Sequence, residues 1–230
     1  MAKKTYISGL FNGIASSYDT LNHILSLSVD KRWRKMAVNK VMQVQPQKVL
    51  DVACGTGDFS IALAKAGVEK IIGIDIAEGM IAVGNKKVSQ LQLSDKIELL
   101  YGDSEHIAYE NNNFDAVTVA FGVRNFENLE IGLKEMRRVI NDNGLLVILE
   151  LSVPTNKVLF FFYNLYFKHI MPFIGGLVSK DKSAYKYLYS SVIQFPKPHE
   201  FIQHLQNVGF SSIEHTAFSG GLARMYVAKK

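Results

Sequence analysis

The chain has 230 residues, 48% hydrophobic and 20% charged, a balance that excludes a disordered chain and a scaffold too small for its own core. Its one cysteine excludes an internal disulfide, and the opening MAKKTYISGL lacks the apolar run of a secretory signal, so a cytoplasmic protein is expected. The net charge of +5 divides into +5 over residues 1–40, −6 over 41–153, +5 over 154–199 and +1 over 200–230.

Taken in chain order, residues 1–45 read as helical and precede the first strand. Apolar, β-rich runs follow at 48–53, 70–75, 97–101, 114–121 and 144–151, with helical spacing at 59–66, 78–92 and 128–141 between them. Asn143-Gly144 reads as the exit of the last of these helices. Residues 154–208 interrupt the alternation. Two further strands, 210–217 and 223–228, flank the turn Ser219-Gly220-Gly221 as a hairpin. Continuous apolar strands alternating with helices predict an α/β, doubly wound, mostly parallel seven-stranded sheet with a C-terminal antiparallel hairpin. One domain is expected: a helical lid at 1–45, a cofactor-binding half at 46–153, a substrate-side insertion at 154–208 and the hairpin at 209–230. The basic charge lies mainly in the lid and the insertion, suiting an anionic membrane surface or an acidic substrate better than nucleic acid.

The stretch VLDVACGTGDFS, residues 49–60, runs a strand into a glycine turn. Gly55 and Gly57 permit positive φ and close approach of a ligand to the backbone. A dinucleotide fingerprint has a third glycine where this chain has Ser60, and a P-loop has a Lys that is absent here. Asp58 at the helix start would repel a pyrophosphate, and Asp51 with Asp58 would suit a cationic group. Asp75 ends the second strand, where an acid accepts both ribose hydroxyls, leaving Glu78 to cap the next helix. Asp103 ends the third and can accept from an adenine amino group while the Ser104 backbone N–H donates to a ring nitrogen. Asp103 as a plain helix cap is the alternative. This order suits an adenosyl sulfonium; a nicotinamide-dependent oxidoreductase is the alternative from a different class. No His/Cys cluster points to a metal. Cys54 reads as a small residue beneath the loop.

These residues, with YDTLNHILSLSVDKRW at 18–33, GIDIAEGMIAVGNKK at 73–87, NNFDAVTVAFGVRNF at 112–126 and RRVINDNGLLVILELSVP at 137–154, resemble the ubiquinone/menaquinone biosynthesis C-methyltransferase family, a class I S-adenosylmethionine-dependent methyltransferase group. SAYKYLYSSVIQFP follows in family order. Three positions depart from the family pattern: Asp30 stands where His is usual, Asn141-Asp142-Asn143-Gly144 replaces Lys-Pro-Gly-Gly, and Ala120 replaces a cofactor-contacting Ser of some members.

The resemblance implies a Rossmann-like methyltransferase fold with S-adenosyl-L-methionine as cofactor. It places the cofactor contacts on Thr56, Asp75, Asp103 and Ser104, with Gly55 and Gly57 giving backbone room. It implies methylation of a ring carbon of a prenylated hydroquinone, demethylmenaquinol first, with a ubiquinone-pathway benzoquinol or another hydrophobic small molecule as alternatives. Such a reaction asks the site to stabilise a phenolate and to take up a proton. Arg124 and Asn125, at the end of the fourth strand, are the candidate catalytic residues; Arg124 would stabilise phenolate charge or order the lid through Asp19 or Glu150. Base candidates are His23, His169, Tyr18, Tyr163 and Tyr185.

The aromatic run VLFFFYNLYFKHIMPFIGGLV, residues 158–178, is too interrupted to span a membrane. Its helical spacing aligns Phe160, Tyr163, Phe167 and Met171, as a core helix or as a surface for a prenyl tail and an anionic membrane, with Lys157, Lys168, Lys180 and Lys182 nearby. Peripheral membrane contact and a homodimer are left open.

Overall fold

A computed structural model describes residues 4–26, 28–166 and 182–230. Strands β1 (Lys48–Val52), β2 (Lys70–Asp75), β3 (Ile97–Tyr101), β4 (Phe114–Ala120), β5 (Ile140–Leu151), β6 (Ser211–Phe218) and β7 (Ala223–Lys229) form one sheet in the order β3-β2-β1-β4-β5-β7-β6. The first five are parallel, and β7 lies antiparallel between β5 and β6. This is the doubly wound sheet and terminal hairpin expected from the sequence. Strand order reverses between β1 and β4, where the open ends of such sheets bind ligands.

The helices are α1 (Lys4–Ile14), α2 (Tyr18–Leu25), α3 (Val29–Val41), α4 (Asp58–Lys65), α5 (Glu78–Gln90), α6 (Leu129–Val139), α7 (Lys157–Leu165), α8 (Lys182–Gln194) and α9 (Pro198–Asn207). Side chains of the inner strands β1, β2 and β4 are buried on both faces, which is why those strands read as apolar runs, whereas β3 and β6 at the sheet edges are largely exposed. Trp33, Val41, Phe59, Leu63 and Val88, from α3, α4 and α5, pack on Val49 and Ile71 on one face. Leu133, Met136, Phe201 and Leu205, from α6 and α9, pack on Leu50 and Val117 on the other. Helix α3, within the N-terminal part expected as a lid, therefore belongs to the core. Within that N-terminal part, α1 and α2 supply cleft-lining residues at the strand ends, Lys4, Ile7, Phe11 and Tyr18.

One boundary differs from expectation. Helix α6 stops at Val139, and Asn143-Gly144 falls inside β5 rather than at a helix exit. Ile140 already pairs with Phe114, and the next aligned pair is Ala116 with Leu145, so residues 141–144 bulge out of the ladder. Asp115 holds the bulge, accepting from Asn141 Nδ2 at 2.9 Å. A turn dipeptide here relieves a register irregularity inside one strand.

Candidate active site

The backbone leaves β1 in left-handed conformation at Ala53 and Gly55, with φ +52° and +56°. The Gly55 N–H then donates to Asp75 Oδ2 at 2.8 Å, and the Ala77 N–H donates to Asp75 Oδ1 at 2.9 Å. Asp75 thus ties the glycine turn to the start of α5, a capping part that the sequence assigned to Glu78. Burial pushes its carboxyl above the usual range, opposed by these backbone donors. After β3, Asp103 Oδ1 accepts from the Glu105 N–H at 2.9 Å, and Lys4 of α1 donates to Oδ2 at 2.7 Å. Partial burial would raise the Asp103 carboxyl, but the Lys4 ammonium outweighs it and holds the group below its ordinary value.

Gly55, Asp75, Asp103, Ser104 and Asn125 line one cleft at these strand ends. Phe11, Tyr18, Ile76, Met80 and Phe121 make its apolar walls. Helix α1 closes the cleft by short bonds to two different loops. Besides Lys4, Ser8 Oγ donates to the Ile76 carbonyl at 2.9 Å and Asn12 Oδ1 accepts from the Gly79 N–H at 2.8 Å.

Thr56 and Gly57 lie outside the lining. The Thr56 hydroxyl is buried and donates to Asp19 Oδ1 at 2.5 Å. Lys87 bridges the same Asp19 to Asp58, at 2.6 and 2.5 Å, and Arg34 lies 3.6 Å from Asp58. Asp58 is therefore neutralised within the fold and does not face the cleft as a partner for a cation. Asp51 is also internal, accepting from Ser60 Oγ at 2.6 Å and Thr118 Oγ1 at 3.0 Å. The sequence argument that these two acids suit a cationic ligand is corrected by these contacts. Ser60 replaces the third glycine because its hydroxyl anchors α4 to β1. Cys54 is buried, and its thiol is pushed well up by burial; Gly73, which has no Cβ, leaves it room.

Burial raises the Asp51 carboxyl to about 6, opposed by its two hydroxyl donors. A carboxyl raised in the folded state favours folding when protonated, so its effect is a loss of stability as pH rises from about 4 to about 6. Each pKa unit is worth about 1.4 kcal/mol, so the full change amounts to about 3 kcal/mol. Asp51→Asn is expected to flatten that slope, its stability relative to the wild type rising over the same interval and levelling above pH 7. Urea denaturation at several pH values measures this; parallel curves for the two proteins would refute it.

Phe121, at the end of β4, has φ +60°, another left-handed non-glycine residue on the cleft wall. Such conformations cost on the order of 1–3 kcal/mol and persist where the surroundings over-determine them. Here the Phe121 N–H donates to the Leu149 carbonyl at 2.7 Å, and its own carbonyl accepts from Arg124. The turn Val123–Asn125 follows. Arg124 does not line the cleft. Its guanidinium is buried against Glu150 at 2.7 Å, its backbone N–H donates to Glu150 Oε2 at 3.1 Å, and Nε donates to Ser191 Oγ on α8 at 3.3 Å. Burial works against the Arg124 charge, but Glu150 outweighs it and the net shift is upward. Asn125 faces the cleft, and its Oδ1 accepts from the Tyr187 hydroxyl of α8 at 2.8 Å.

Among the base candidates whose side chains are described, Tyr18 lies in the cleft, and burial pushes its hydroxyl further up, so it stays a neutral donor at neutral pH. Tyr163 is buried in the insertion, and burial pushes its hydroxyl up as well. His169, Phe167 and Met171 lie outside the described residues, as do the side chains of His23 and Tyr185. Tyr187 and Ser191 were missed in the sequence, although Tyr-x-Tyr-Leu and the i,i+4 spacing of the two residues were the available signals.

The ubiE/COQ5 methyltransferase family model matches residues 1–230. The chain belongs to this family. It is 42% identical over 229 residues to a demethylmenaquinone methyltransferase of Bacteroides fragilis, covering 99% of this chain and 94% of that one. It is 39% identical over 231 residues to the Staphylococcus haemolyticus protein of the same name, covering 100% and 95%. Among solved structures, a putative S-adenosyl-L-methionine-dependent methyltransferase from Methanococcus maripaludis shares the fold with TM-score 0.67 at 21% identity, covering 96% and 91%. The [4+2]-cyclase SpnF shares it with TM-score 0.75 at 13% identity, covering 100% and 97%. A cyclase on the same fold shows that the sheet alone does not set the reaction. Membership of a methyltransferase family removes the nicotinamide-dependent alternative. Among the described residues, no group of three or more His, Cys, Asp or Glu is placed to hold a metal.

Proposed function

We propose that this methyltransferase methylates a ring carbon of demethylmenaquinol, a prenylated hydroquinone. Its methyl donor is S-adenosylmethionine, which supplies an electrophilic methyl on a sulfonium. The observation that carries the cofactor's place is the single cleft joining Gly55, Asp75, Asp103 and Ser104. Asp75 has lone pairs left for the ribose hydroxyls, and Asp103 with Ser104 offers an acceptor and a donor for the adenine edge. Thr56 supports the turn from behind through Asp19. Gly57 allows the turn's left-handed conformation, and an added Cβ would meet Leu99 Cδ1 at 2.9 Å.

The acceptor class rests on the full-length likeness to demethylmenaquinone methyltransferases. Asn125 is the cleft residue suited to donate to a ring oxygen, with Arg124 acting behind it. The acceptor's tail and a membrane surface find apolar contact on α7, where Val158, Phe161 and Phe162 are 64%, 64% and 59% exposed beside Lys157. Among the described residues, no helix is long and apolar enough to cross a membrane.

The test uses labelled S-adenosylmethionine with reduced demethylnaphthoquinol and benzoquinol analogues, each in detergent and in anionic liposomes. Label is expected in the naphthoquinol. Label confined to the benzoquinol would move the protein to the ubiquinone branch. Phe161→Ser with Phe162→Ser is expected to lower the liposome rate and spare the detergent rate; equal liposome rates would remove the membrane contact.

A further inference from the structure

The amide of Asn125 is held from one side. Its Oδ1 accepts from the Tyr187 hydroxyl at 2.8 Å, and no described residue accepts from its Nδ2. An amide oxygen facing a hydroxyl donor leaves the NH2 group, with its two donors, to the other side. That side belongs to the cleft, which Asn125 lines together with Tyr18 and Phe121.

Tyr187 is itself fixed by α1 and by the anchoring of its own helix on the Val123–Asn125 turn. Its ring meets Tyr6 of α1 edge-on at 5.8 Å, and it packs on Leu10 and Ile14 of the same helix. Its own helix, α8, grips the Val123–Asn125 turn a second time through Ser191, four residues on, which accepts from Arg124 Nε. Burial pushes the Tyr187 hydroxyl above the usual tyrosine range, so it is a neutral donor at physiological pH.

We propose that Tyr187 is a positioning residue for methyl transfer: its hydroxyl orients the Asn125 amide so that Nδ2 donates to a phenolate oxygen of the acceptor ring. The proposal rests on the reading of the acceptor as a hydroquinone. A ring carbon becomes nucleophilic as the neighbouring hydroxyl loses its proton, and a fixed donor at that oxygen stabilises the resulting charge. The terminal torsion of asparagine is broad and roughly two-fold, so without the tyrosine hydroxyl the amide is free to turn. A turned amide presents Oδ1 to the phenolate and repels it.

Tyr187→Phe keeps the ring and its contact with Tyr6 and removes only the hydroxyl. Loss of one oxyanion donor lowers kcat by about 10²–10³, and an amide that samples both orientations should lose less, about two- to tenfold according to how far the turned form is populated. Affinity for S-adenosylhomocysteine, read by calorimetry, is expected to stay within twofold, which also reports that the variant is folded. The rising limb of the kcat–pH profile is expected to move to higher pH, because the site no longer helps the ring hydroxyl ionise. A purely structural tyrosine would change melting temperature and leave that limb in place.

In an Asn125→Leu background, Tyr187→Phe is expected to have no further effect on kcat. A wild-type kcat and pH profile in Tyr187→Phe, or equal losses in the presence and absence of Asn125, would overturn the proposal. Failure of the wild-type protein to methylate any hydroquinone would instead overturn the functional reading.

Discussion

Glu150→Ala is expected to destabilise the protein by about 3–5 kcal/mol, the cost of leaving a buried charge without its partner. Arg124 and Glu150 side chains are 4% and 1% exposed, and Glu150 accepts from both the guanidinium and the backbone N–H of Arg124. It also accepts from the Leu151 N–H at 2.8 Å. Alanine therefore orphans one charge and two amides at once. For a chain of this size each kcal/mol moves Tm by about 2–4 °C, so a fall of about 10 °C is expected. Thermal melts and urea denaturation measure it; a loss below about 1 kcal/mol would show that water reaches the guanidinium.

The same pair separates stability from turnover. Arg124→Met with Glu150→Leu removes both charges together, and is expected to recover much of the stability lost by Glu150→Ala, as apolar replacements of buried pairs do. It is not expected to recover activity. The Phe121 carbonyl and Ser191 would lack their arginine donor, so the turn that carries Asn125 would lose a bond within the loop and its tie to α8 through Ser191. Arg124→Ala alone is likewise expected to lower turnover with little change in cofactor affinity, since Asp75 ends β2 and Asp103 follows β3, away from the turn after β4.

The sheet was legible because the central strands β1, β2 and β4 and the second half of β5 are apolar runs bounded by helical spacing, and both hairpin strands flank a glycine turn. What misled was local chemistry. Asn143-Gly144 signals a turn, but a bulge uses the same backbone freedom, and only the pairing of Ile140 with Phe114 distinguishes them. The acids show the same limit. Asp51, Asp58, Asp75 and Asp103 look alike in the sequence, yet Ser60 and Thr118 take the first and Lys87 and Arg34 approach the second. Only the last two reach the cleft. Pairing across 29 positions, as between Asp58 and Lys87, leaves no trace in local spacing. Tyr187 reaches Asn125 across 62 positions, which is why the tyrosine that touches a candidate catalytic residue was not the one singled out.

Asp75→Ala is expected to weaken cofactor binding more than any other single change in the cleft. An ionised carboxylate has about four acceptor sites. Gly55 and Ala77 occupy two, one on each oxygen, at 2.8 and 2.9 Å. The Ile76 N–H also acts on the carboxylate, and the acceptor capacity that the backbone leaves is what the ribose hydroxyls would use. Hydrogen bonds to a charged group contribute about 1.5–3 kcal/mol each, so losing both weakens binding by about 10²–10⁴-fold. Asp75→Asn should fare little better: whichever way the amide turns, its NH2 faces one of two backbone donors, Gly55 or Ala77. Titration calorimetry with S-adenosylhomocysteine tests both variants, and a dissociation constant within threefold of the wild type would refute the assignment. Turnover at saturating cofactor is expected to fall less than affinity, because ribose contacts are made equally in ground and transition states. Burial already raises this carboxyl. In the wild type, affinity should therefore weaken as pH falls and the group takes up its proton, and Asp75→Asn should lose that dependence.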